Sequence, residues 1–527
     1  KCPIPWDHIM AYVRMAVNPE LSDVYRKLHD RGVMIMTSIT GSSDKVKNAK
    51  DRRVAYEREL LAEPDIIETD YPSEFIGVDT VADKSMYMKS SLYRVAALAL
   101  AASFSAFFAV SSEAQVTLEK IKADAFAGAG IYHIYRAGNM TDTAAPEGYE
   151  PFYISHIGRH GSRYHSSDKS FDALAAMFMK ADSLGILTEK GKALYSDLYR
   201  IDSVSVGKAG KLSARGKNEH KEIAGRMFHR FPSVFKSGSR RYVDAVSSTV
   251  QRCQESMFSC TGELKKLNKK LRVNVHSGDS YMSYLLRKPS WFKEVVRTSA
   301  PEIDSLSRTW IDVSDFMNSI FSDRKTADSI VGREDMFARE LYTWGSIAPD
   351  IDLNDIFVSS YFTPEELFSL TRLNSCRIYS EMVNAAESEG RRIAMADDLL
   401  EDFIVKANAA VSAKSNVAAD LRFAHDVSVM PLAGLMGIEG CSEIWPLEEV
   451  WEHWMASDFT PMACNLQMVF YRRPGSKDIL VKFLLNEQER LLNGVDPVSG
   501  PYYRWKDVRR HLSGRLAYAR KVDAGNR

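Results

Sequence analysis

The chain has 527 residues, with 69 basic and 69 acidic side chains and no formal net charge at pH 7 when histidine is neutral. This length exceeds one ordinary domain and predicts roughly two or three folded units. Because the charges balance, the composition does not support nucleic acid or an anionic membrane surface as a partner, and any attraction for an anion has to be local.

Residues 1–84 alternate between predicted strands and a charged helix. The strands are predicted at 33–39 and 65–70, and the helix between them runs from about residue 45 to 61. This alternation indicates βα units.

Three short runs in this segment resemble the carboxyl-terminal part of glycerophosphodiester phosphodiesterases, which are (β/α)8 barrels. They are Ile-Pro-Trp-Asp at 4–7, Leu-His-Asp-Arg-Gly-Val at 28–33 and Ile-Glu-Thr-Asp-Tyr-Pro at 67–72. A barrel of this kind takes about 250 residues, and the His-Arg-Gly motif and early acidic metal ligands of the family are missing. We therefore expect residues 1–84 to be a partial barrel remnant and not a second enzyme.

Residues 85–115 have the three-part layout of a secretory signal. A short positive region with Lys89 and Arg94 precedes an apolar run at 95–110, and small residues flank a cleavage position expected after Ala114. The run is short for a membrane span, which usually needs about 20 residues. We expect the chain after Ala114 to be exported, to the periplasm or cell envelope of a bacterium. The structural alternative is a buried Ala-rich helix.

The position of this signal in mid-chain leaves two origins open. Either two neighbouring reading frames have been joined, with a natural start at Met86 or Met88, or a fusion protein uses residues 95–110 as an anchor. We expect contact with a membrane only in the second case.

The apolar run at 152–157 predicts a buried strand, which ends in the polar turn Arg-His-Gly-Ser-Arg at 159–163. Ligands of open α/β sheets bind at the carboxyl ends of the strands. Two arginines can hold a phosphate dianion while a neutral imidazole between them attacks the phosphorus. His160 is the candidate nucleophile, and Arg159 and Arg163 are candidate phosphate ligands. The alternative is a solvated basic turn.

A third arginine follows the next predicted strand, at 242–246. Residues 248–251 have the form of a capping box, which would place Arg252 in the first turn of a helix. A helix start presents free amide hydrogens and a positive dipole end, so it can orient an arginine towards an anion. Arg252 is therefore a candidate phosphate ligand; the alternative is an ordinary surface arginine.

About 130 mainly helical residues separate the predicted strand at 271–276 from the next one. They include predicted helices at 364–374 and 380–408. We expect them to form a helical cap inserted in the sheet domain, which would shape the leaving-group side of a pocket.

The strand predicted at 421–424 delivers His425 and Asp426 together at its end, and Pro431 is expected near the start of the next helix. A phosphomonoester leaves as an alkoxide, so a positioned acid should protonate the bridging oxygen. Asp426 is the candidate proton donor, and His425 can hydrogen-bond the phosphoryl oxygens. His-Asp is a common dipeptide and gains weight only from its pairing with the first motif.

The motifs at 159–163, 247–253 and 425–426 together resemble those of the large branch of the histidine phosphatases, which contains acid phosphatases, phytases and multiple inositol polyphosphate phosphatases. The resemblance covers residues from about 116 to 527, and the segments 465–470, 479–486 and 501–505 are similar to bacterial members near the inositol polyphosphate group. It implies a phosphoglycerate-mutase-like α/β sheet domain, at about 116–280 and 415–527, with a helical cap at about 281–414.

The resemblance implies a metal-independent double displacement through a phosphohistidine at His160, with no cofactor. Asp426 would act as acid in the first half and assist water in the second. The implied partner is a small-molecule phosphomonoester, with phytate or another phosphorylated inositol as leading substrate. The inositol polyphosphate phosphatases typically have His-Ala-Glu at the donor motif, whereas this chain has the His-Asp of phytases and acid phosphatases, so the substrate stays open.

The sequence offers two other functions. A phosphodiesterase acting through residues 1–84 is disfavoured by the missing His-Arg-Gly motif. A non-catalytic phosphate-ester binding protein would keep the arginines, but the intact pair His160 and Asp426 argues against it.

Overall fold

The computed structural model describes residues 117–525, apart from short gaps at 139, 141, 168–169, 237, 239–241 and 413–414, and three strands before residue 117. The chain divides into two compact units, Lys1–Glu113 and Ala114–Arg527.

In the amino-terminal unit, three parallel strands pair in the order β1 (Met10–Val13), β2 (Met34–Ser38) and β3 (Ile66–Glu68). The strands predicted at 33–39 and 65–70 are thus confirmed in shorter form. The helix predicted at about 45–61 and the signal-like segment 85–115 lie outside the described residues. The resemblance to a phosphodiesterase barrel stays a prediction.

The carboxyl-terminal unit is built on an eight-stranded mixed sheet in the order β10-β9-β8-β4-β7-β5-β6, with β11 paired to β9. Strands β4, β7, β5 and β6 are parallel to one another, while β8 runs antiparallel to both of its neighbours, β4 and β9. The strands of this sheet are β4 (Glu150–Arg159), β5 (Tyr242–Ser247), β6 (Arg272–Ser277), β7 (Val417–Ala424), β8 (Asn465–Arg472), β9 (Ile479–Leu485), β10 (Gln488–Arg490) and β11 (Tyr503–Arg504).

Helices surround this sheet. They are α1 (Leu118–Ala123), α2 (Ser170–Ser183), α3 (Glu189–Ser205), α4 (Ala214–Arg230), α5 (Pro232–Lys236), α6 (Gln251–Leu267), α7 (Asp279–Leu285), α8 (Phe292–Trp310), α9 (Ser314–Ile320), α10 (Arg324–Val331), α11 (Glu334–Ser346), α12 (Pro364–Met382), α13 (Arg391–Ala394), α14 (Asp397–Val411), α15 (Asp426–Met436), α16 (Val450–His453), α17 (Ala456–Phe459) and α18 (Trp505–Gly525). No helix among the described residues combines the length and the apolar character needed to traverse a bilayer.

The central strand β4 is buried on both faces, which explains why apolar residues of this strand lie on both sides of the sheet. Tyr153 and Ile157 pack into a large core that includes the cap helices. Ile154 faces a second core on the opposite side of the sheet, together with Phe423 of β7 and Met257 of α6. The sheet is therefore covered by apolar layers on both sides, and polar residues within strand β7, such as Asp420 and Arg422, are buried.

Every regular element between β6 and β7 in the described residues is helical, as the sequence predicts for this stretch. The continuous helix predicted at 380–408 is wrong, because α12 ends at Met382 and α14 begins only at Asp397. Glu389 and Gly390 between them have positive φ angles of 51° and 74°, and this left-handed backbone cannot continue a right-handed helix.

The five cysteines in the described part of the chain are all free and buried. Cys253 and Cys260 lie on α6, as expected, and both side chains belong to the interior.

Candidate active site

Three parallel neighbouring strands end at the same edge of the sheet. Arg159, the last residue of β4, pairs with Ala424, the last residue of β7. Phe423 of β7 pairs in turn with Ser247, the last residue of β5. This register brings together the three motifs that the sequence separates by up to about 270 residues, because carboxyl ends of parallel strands meet at one edge.

His160 follows β4 directly and is held by main-chain bonds on both sides. Its amide donates to Ala424 O at 3.0 Å, and its carbonyl accepts from the Ala463 amide at 3.0 Å. The ring Nδ1 lies 2.9 Å from Gly161 O. Since a carbonyl oxygen can only accept, Nδ1 carries the proton, and Nε2 keeps its lone pair.

The surroundings of His160 keep its ring neutral. The side chain is only 2% exposed. Burial, followed by the positive charges of Arg159 and Arg252, lowers the pKa of His160 well below its usual value. A neutral imidazole with a free Nε2 is the form that a nucleophilic histidine requires.

Arg159 is fully buried and fixed from two directions. Its Nη1 donates to Ile131 O at 2.7 Å and to Thr460 O at 2.9 Å. Its Nη2 forms an ion pair with Asp426 Oδ2 at 2.9 Å. The guanidinium plane is thus set before any ligand arrives.

Arg163 approaches the same edge from the loop after β4, and Arg252 approaches it from the start of α6. Arg163 donates from Nη1 to Tyr164 O at 2.9 Å, and its guanidinium lies 5.6 Å from the ring centre of Tyr132. Arg252, in the first turn of α6, has its Nη1 3.4 Å from Gly210 O. Within the described residues, the Nε atoms of Arg159, Arg163 and Arg252 are buried and have no hydrogen-bond partner.

The three guanidinium groups carry more positive charge than their protein neighbours compensate. Burial, followed by repulsion from Arg163, lowers the pKa of Arg252. Among the described residues, Asp426 is the carboxylate that contacts these arginines directly, through its ion pair with Arg159. Clustered arginine donors with excess positive charge match the oxygens of a phosphate dianion.

Asp426, the first residue of α15, is a carboxylate in this arrangement. Burial raises its pKa, but the positive charge of Arg159 leads the opposing effects, and the net pKa is lowered. The Val427 amide also donates to Asp426 Oδ1 at 2.9 Å.

His425 lies between the sheet edge and α6. Its Nδ1 lies 3.4 Å from Arg252 Nη2, which can only donate, so Nε2 carries the proton and faces Ser248 Oγ at 3.3 Å. Burial, followed by the charge of Arg252, lowers the pKa of His425 to about 3. The ring centres of His425 and His160 are 5.5 Å apart. The structure thus brings all six predicted residues to one place, while the catalytic and binding roles assigned to them remain predictions.

Comparison with known proteins identifies the fold. The sequence matches no protein-family model and none of the curated proteins. Solved structures do match: the multiple inositol polyphosphate phosphatase of Bifidobacterium longum in complex with phosphate is 20% identical, with a TM-score of 0.61, over 73% of this chain and 97% of that chain. The phytase from D. castellii is 16% identical, with a TM-score of 0.56, over 78% of this chain and 89% of that chain.

The Bifidobacterium longum enzyme has also been solved in complex with inositol hexasulfate, and that structure matches with 21% identity and a TM-score of 0.56 over 72% of this chain and 96% of that chain. These structural neighbours belong to the histidine acid phosphatases. The chain has the histidine acid phosphatase fold. The resemblance seen in the motifs is confirmed at the level of the fold, as is the predicted α/β class.

Two local predictions within this phosphatase fold are wrong. Residues 248–251 do not form a capping box, because α6 begins at Gln251 with Val250 as N-cap and no side-chain cap bond. The Ser248 amide still bonds to Phe423 O, so the chain continues the strand at that point. Arg252 nevertheless lies in the first turn, as predicted. Pro431 is not near a helix start either, since it lies inside α15.

Sequence reasoning missed three residues that support the nucleophile loop of this fold. Ser162 contacts the buried carboxyl groups of Glu219 and Asp350. Glu219 could have been suspected, because it follows Gly216 by nearly one turn of the predicted helix α4 and so shares its face. Asp350 has no recognisable signal, since it lies in a short turn of the cap with ordinary composition.

Proposed function

We propose that this protein is a phosphomonoester hydrolase that transfers the phosphoryl group to His160 Nε2. The observation that carries the proposal is the neutral His160, with its Nε2 lone pair free, beside three arginines whose buried Nε atoms have no partner among the described residues. The histidine acid phosphatase fold supports the same chemistry.

In the first step, Nε2 of His160 attacks the phosphorus while Arg159, Arg163 and Arg252 hold the non-bridging oxygens. The bond from phosphorus to the leaving oxygen breaks, and Asp426 gives that oxygen a proton. In the second step, water attacks the phosphohistidine with Asp426 as base, and inorganic phosphate and free His160 are released. His425 borders the same space and is proposed to bind a phosphoryl oxygen.

The leading substrate class is a phosphorylated inositol such as phytate. A structural neighbour binds inositol hexasulfate, a polyanion that also carries charged ester groups on an inositol ring. Exposed positive charge also lies near the phosphate site, since Lys288 is close enough to contribute to the lowered pKa of His425. The His-Asp donor motif is that of phytases and acid phosphatases, so it is compatible with phytate without selecting it.

The proposed location is the periplasm or cell envelope of a bacterium, and it rests on the signal-like residues 85–115 alone. Determining the mass and sequence of the mature amino terminus tests it. A start immediately after Ala114 supports export with cleavage, whereas a mature protein that retains residues 95–110 supports the anchor.

The catalytic proposal is tested with three substrates: phytate, p-nitrophenyl phosphate and bis(p-nitrophenyl) phosphate. We expect hydrolysis of the two monoesters and none of the diester. His160→Ala should retain less than about one per cent of the turnover, because removing a covalent nucleophile costs many powers of ten. His229→Ala, an exposed histidine of α4, is the matched control and should keep full turnover.

A quenched-flow experiment with labelled substrate should trap a protein-bound phosphate that is acid-labile and stable in alkali, as expected for an N–P bond. The label should be absent from His160→Ala. Hydrolysis by His160→Ala at the normal rate, or loss of activity in EDTA that a divalent ion restores, would refute this mechanism.

A further inference from the structure

Two buried carboxyl groups contact one hydroxyl group next to the nucleophile. Ser162 Oγ lies 2.8 Å from Glu219 Oε1 and 2.8 Å from Asp350 Oδ1. Glu219 is on α4 and is 5% exposed, while Asp350 belongs to a short 3-10 turn of the cap, Ala348–Ile351, and is fully buried. Ser162 stands two residues after His160.

The number of hydrogen-bond acceptors in this cluster requires a proton in addition to that of the Ser162 hydroxyl group. Ser162 Oγ has one hydrogen and can donate to only one of the two carboxyl groups. The other contact needs a donor on the carboxyl side, since two acceptors at 2.8 Å without a proton between them would repel. One of the two carboxyl groups is therefore a neutral carboxylic acid.

The remaining contacts identify which carboxyl group holds the proton. Both oxygens of Glu219 accept main-chain hydrogens: Oε1 from the Tyr135 amide at 3.0 Å and Oε2 from the Ser162 amide at 2.7 Å. An acceptor with both oxygens engaged by N–H groups is best ionised. Asp350 Oδ2 has no hydrogen-bond partner among the described residues, and Oδ1 contacts Ser162. The proton therefore belongs on Asp350.

The charges around the cluster agree with this assignment. Burial, followed by the negative charge of Glu219, raises the pKa of Asp350 well above its usual value, against opposing effects of Arg163 and Arg159. Burial also raises the pKa of Glu219, but the Ser162 and Tyr135 amides and the charge of Arg215 oppose that rise, and Asp350 has no such main-chain donors among the described residues. Arg215 of α4 also forms an ion pair with Asp352 at 2.9 Å. The last turn of α11, at 343–346, precedes Asp350 and carries no charged side chain.

We propose that Asp350 is a positioning residue of the hydrolytic site and that it works as a neutral carboxylic acid. It donates to Ser162 Oγ, which donates to Glu219, and this chain fixes the main chain immediately after the nucleophile. Gly161 O, which accepts the hydrogen bond from His160 Nδ1, lies in the same fixed segment. The cap thereby helps to set the imidazole orientation without touching the substrate. This inference rests on the proposed hydrolase function.

Three substitutions test the proton assignment in the full chain. Asp350→Asn keeps a donor for Ser162 Oγ and should hold kcat for p-nitrophenyl phosphate within about threefold of the unchanged protein. Asp350→Ala removes that donor and should lower kcat by about tenfold or more with a smaller change in KM. Glu219→Gln should also lower kcat, because its amide hydrogens would face main-chain N–H groups.

Two outcomes would overturn the proposal. If Asp350→Asn lowers kcat as much as Asp350→Ala does, Asp350 works as a carboxylate. If Glu219→Gln is tolerated while Asp350→Asn is not, the proton lies on Glu219. If Asp350→Ala fails to fold, the difference in kcat between Asp350→Asn and Glu219→Gln still shows which carboxyl group holds the proton.

A second measurement does not depend on hydrolysis. Because the pKa of Asp350 in the folded protein is above its usual 3.8, the unchanged protein loses stability as pH rises from that value towards the folded pKa. Asp350→Asn cannot ionise, so its stability relative to the unchanged protein should increase over that range with the slope of one proton. A pH-independent difference would overturn the assignment. Absence of hydrolysis by the unchanged protein would instead refute the proposed function alone.

Discussion

Arg159 Nη2 lies 2.9 Å from Asp426 Oδ2, so the proposed phosphate ligand and the proposed proton donor form an ion pair. This pair lowers the pKa of Asp426 despite its burial. A carboxylate cannot protonate a leaving group, so Asp426 has to gain a proton as substrate binds. A phosphate dianion would draw on the charge of Arg159 and add negative charge nearby, and both effects raise the pKa of Asp426. We therefore expect the best activity below neutral pH.

Asp426→Asn should reduce turnover according to the leaving group. For phytate, whose inositol alkoxide needs a proton, we expect a loss of about 100-fold or more. For p-nitrophenyl phosphate, whose leaving group is stable as an anion, the loss should stay below about tenfold. The measurement is kcat for both substrates at the same acidic pH.

The control is Asp172→Asn, which changes an exposed aspartate in the first turn of α2 and should leave both rates unchanged. Equal losses on the two substrates in Asp426→Asn would show that Asp426 positions the site and does not donate the proton.

Gly161→Ala should lower turnover by about 100-fold, because it displaces the nucleophile loop. A Cβ at residue 161 would lie 2.4 Å from the carbonyl oxygen of Gly216 and 2.6 Å from its Cα, and both are main-chain atoms that cannot rotate away. The clash must shift either the loop or the start of α4, and a misplacement of about 1 Å can cost roughly 100-fold in rate.

Gly225→Ala, in the middle of α4, is the matched control because nothing lies within 4 Å of its added Cβ. It should keep its activity and gain up to about 1 kcal/mol in stability, since alanine favours the helix. Measurement of kcat and of the unfolding midpoint for both variants separates loop displacement from general helix damage. Normal turnover by Gly161→Ala would show that the loop tolerates movement.

The sequence predicted the six site residues but not the residues that hold the nucleophile loop in place. The site residues could be found because they follow apolar strands. His160, His425 and Asp426 each come directly after a strand whose pattern is recognisable, and parallel pairing then brings them together. Asp350 could not be found in this way, because tertiary packing places a cap turn beside Ser162 across 188 residues of sequence. The prediction of a capping box at 248–251 failed for a related reason. The Ser248 amide bonds to the sheet and its hydroxyl group faces His425, and a local sequence motif does not reveal these contacts.

Asp402→Asn should destabilise the fold by about 3 kcal/mol, because it leaves a buried guanidinium without its counter-ion. Arg422 of β7 is fully buried, pairs with Asp402 Oδ2 at 2.5 Å and lies 3.9 Å from the ring centre of Phe403. Glu401→Gln removes the half-exposed pair with Arg520 and should cost less than about 1 kcal/mol. Urea unfolding of both variants measures the difference.

The same pair predicts a pH dependence. Burial raises the pKa of Asp402, but the positive charges of Arg422 and Lys406 lower it by more than burial raises it. The net pKa is below the usual value. The stabilisation from Asp402 is therefore present above that usual value and is lost as pH falls through the folded pKa. The difference in stability between Asp402→Asn and the unchanged protein should shrink on acidification. A constant difference would show that Asp402 contributes through packing and not through its charge.

Removing the amino-terminal unit should leave the proposed enzyme intact. All six site residues and every strand next to them lie within Ala114–Arg527, the second compact unit of the chain. A protein that starts at Gln115 should therefore fold alone, keep its rate with p-nitrophenyl phosphate and unfold in one cooperative transition. Residues 1–84 alone should show no phosphodiesterase activity and no cooperative unfolding, because an incomplete barrel leaves strand edges unpaired. The measurements are kcat and thermal unfolding of the full chain and of the shortened protein. If the shortened protein folds but loses its phosphatase activity, residues 1–114 take part in the hydrolytic site, and their interpretation as a joined fragment is wrong.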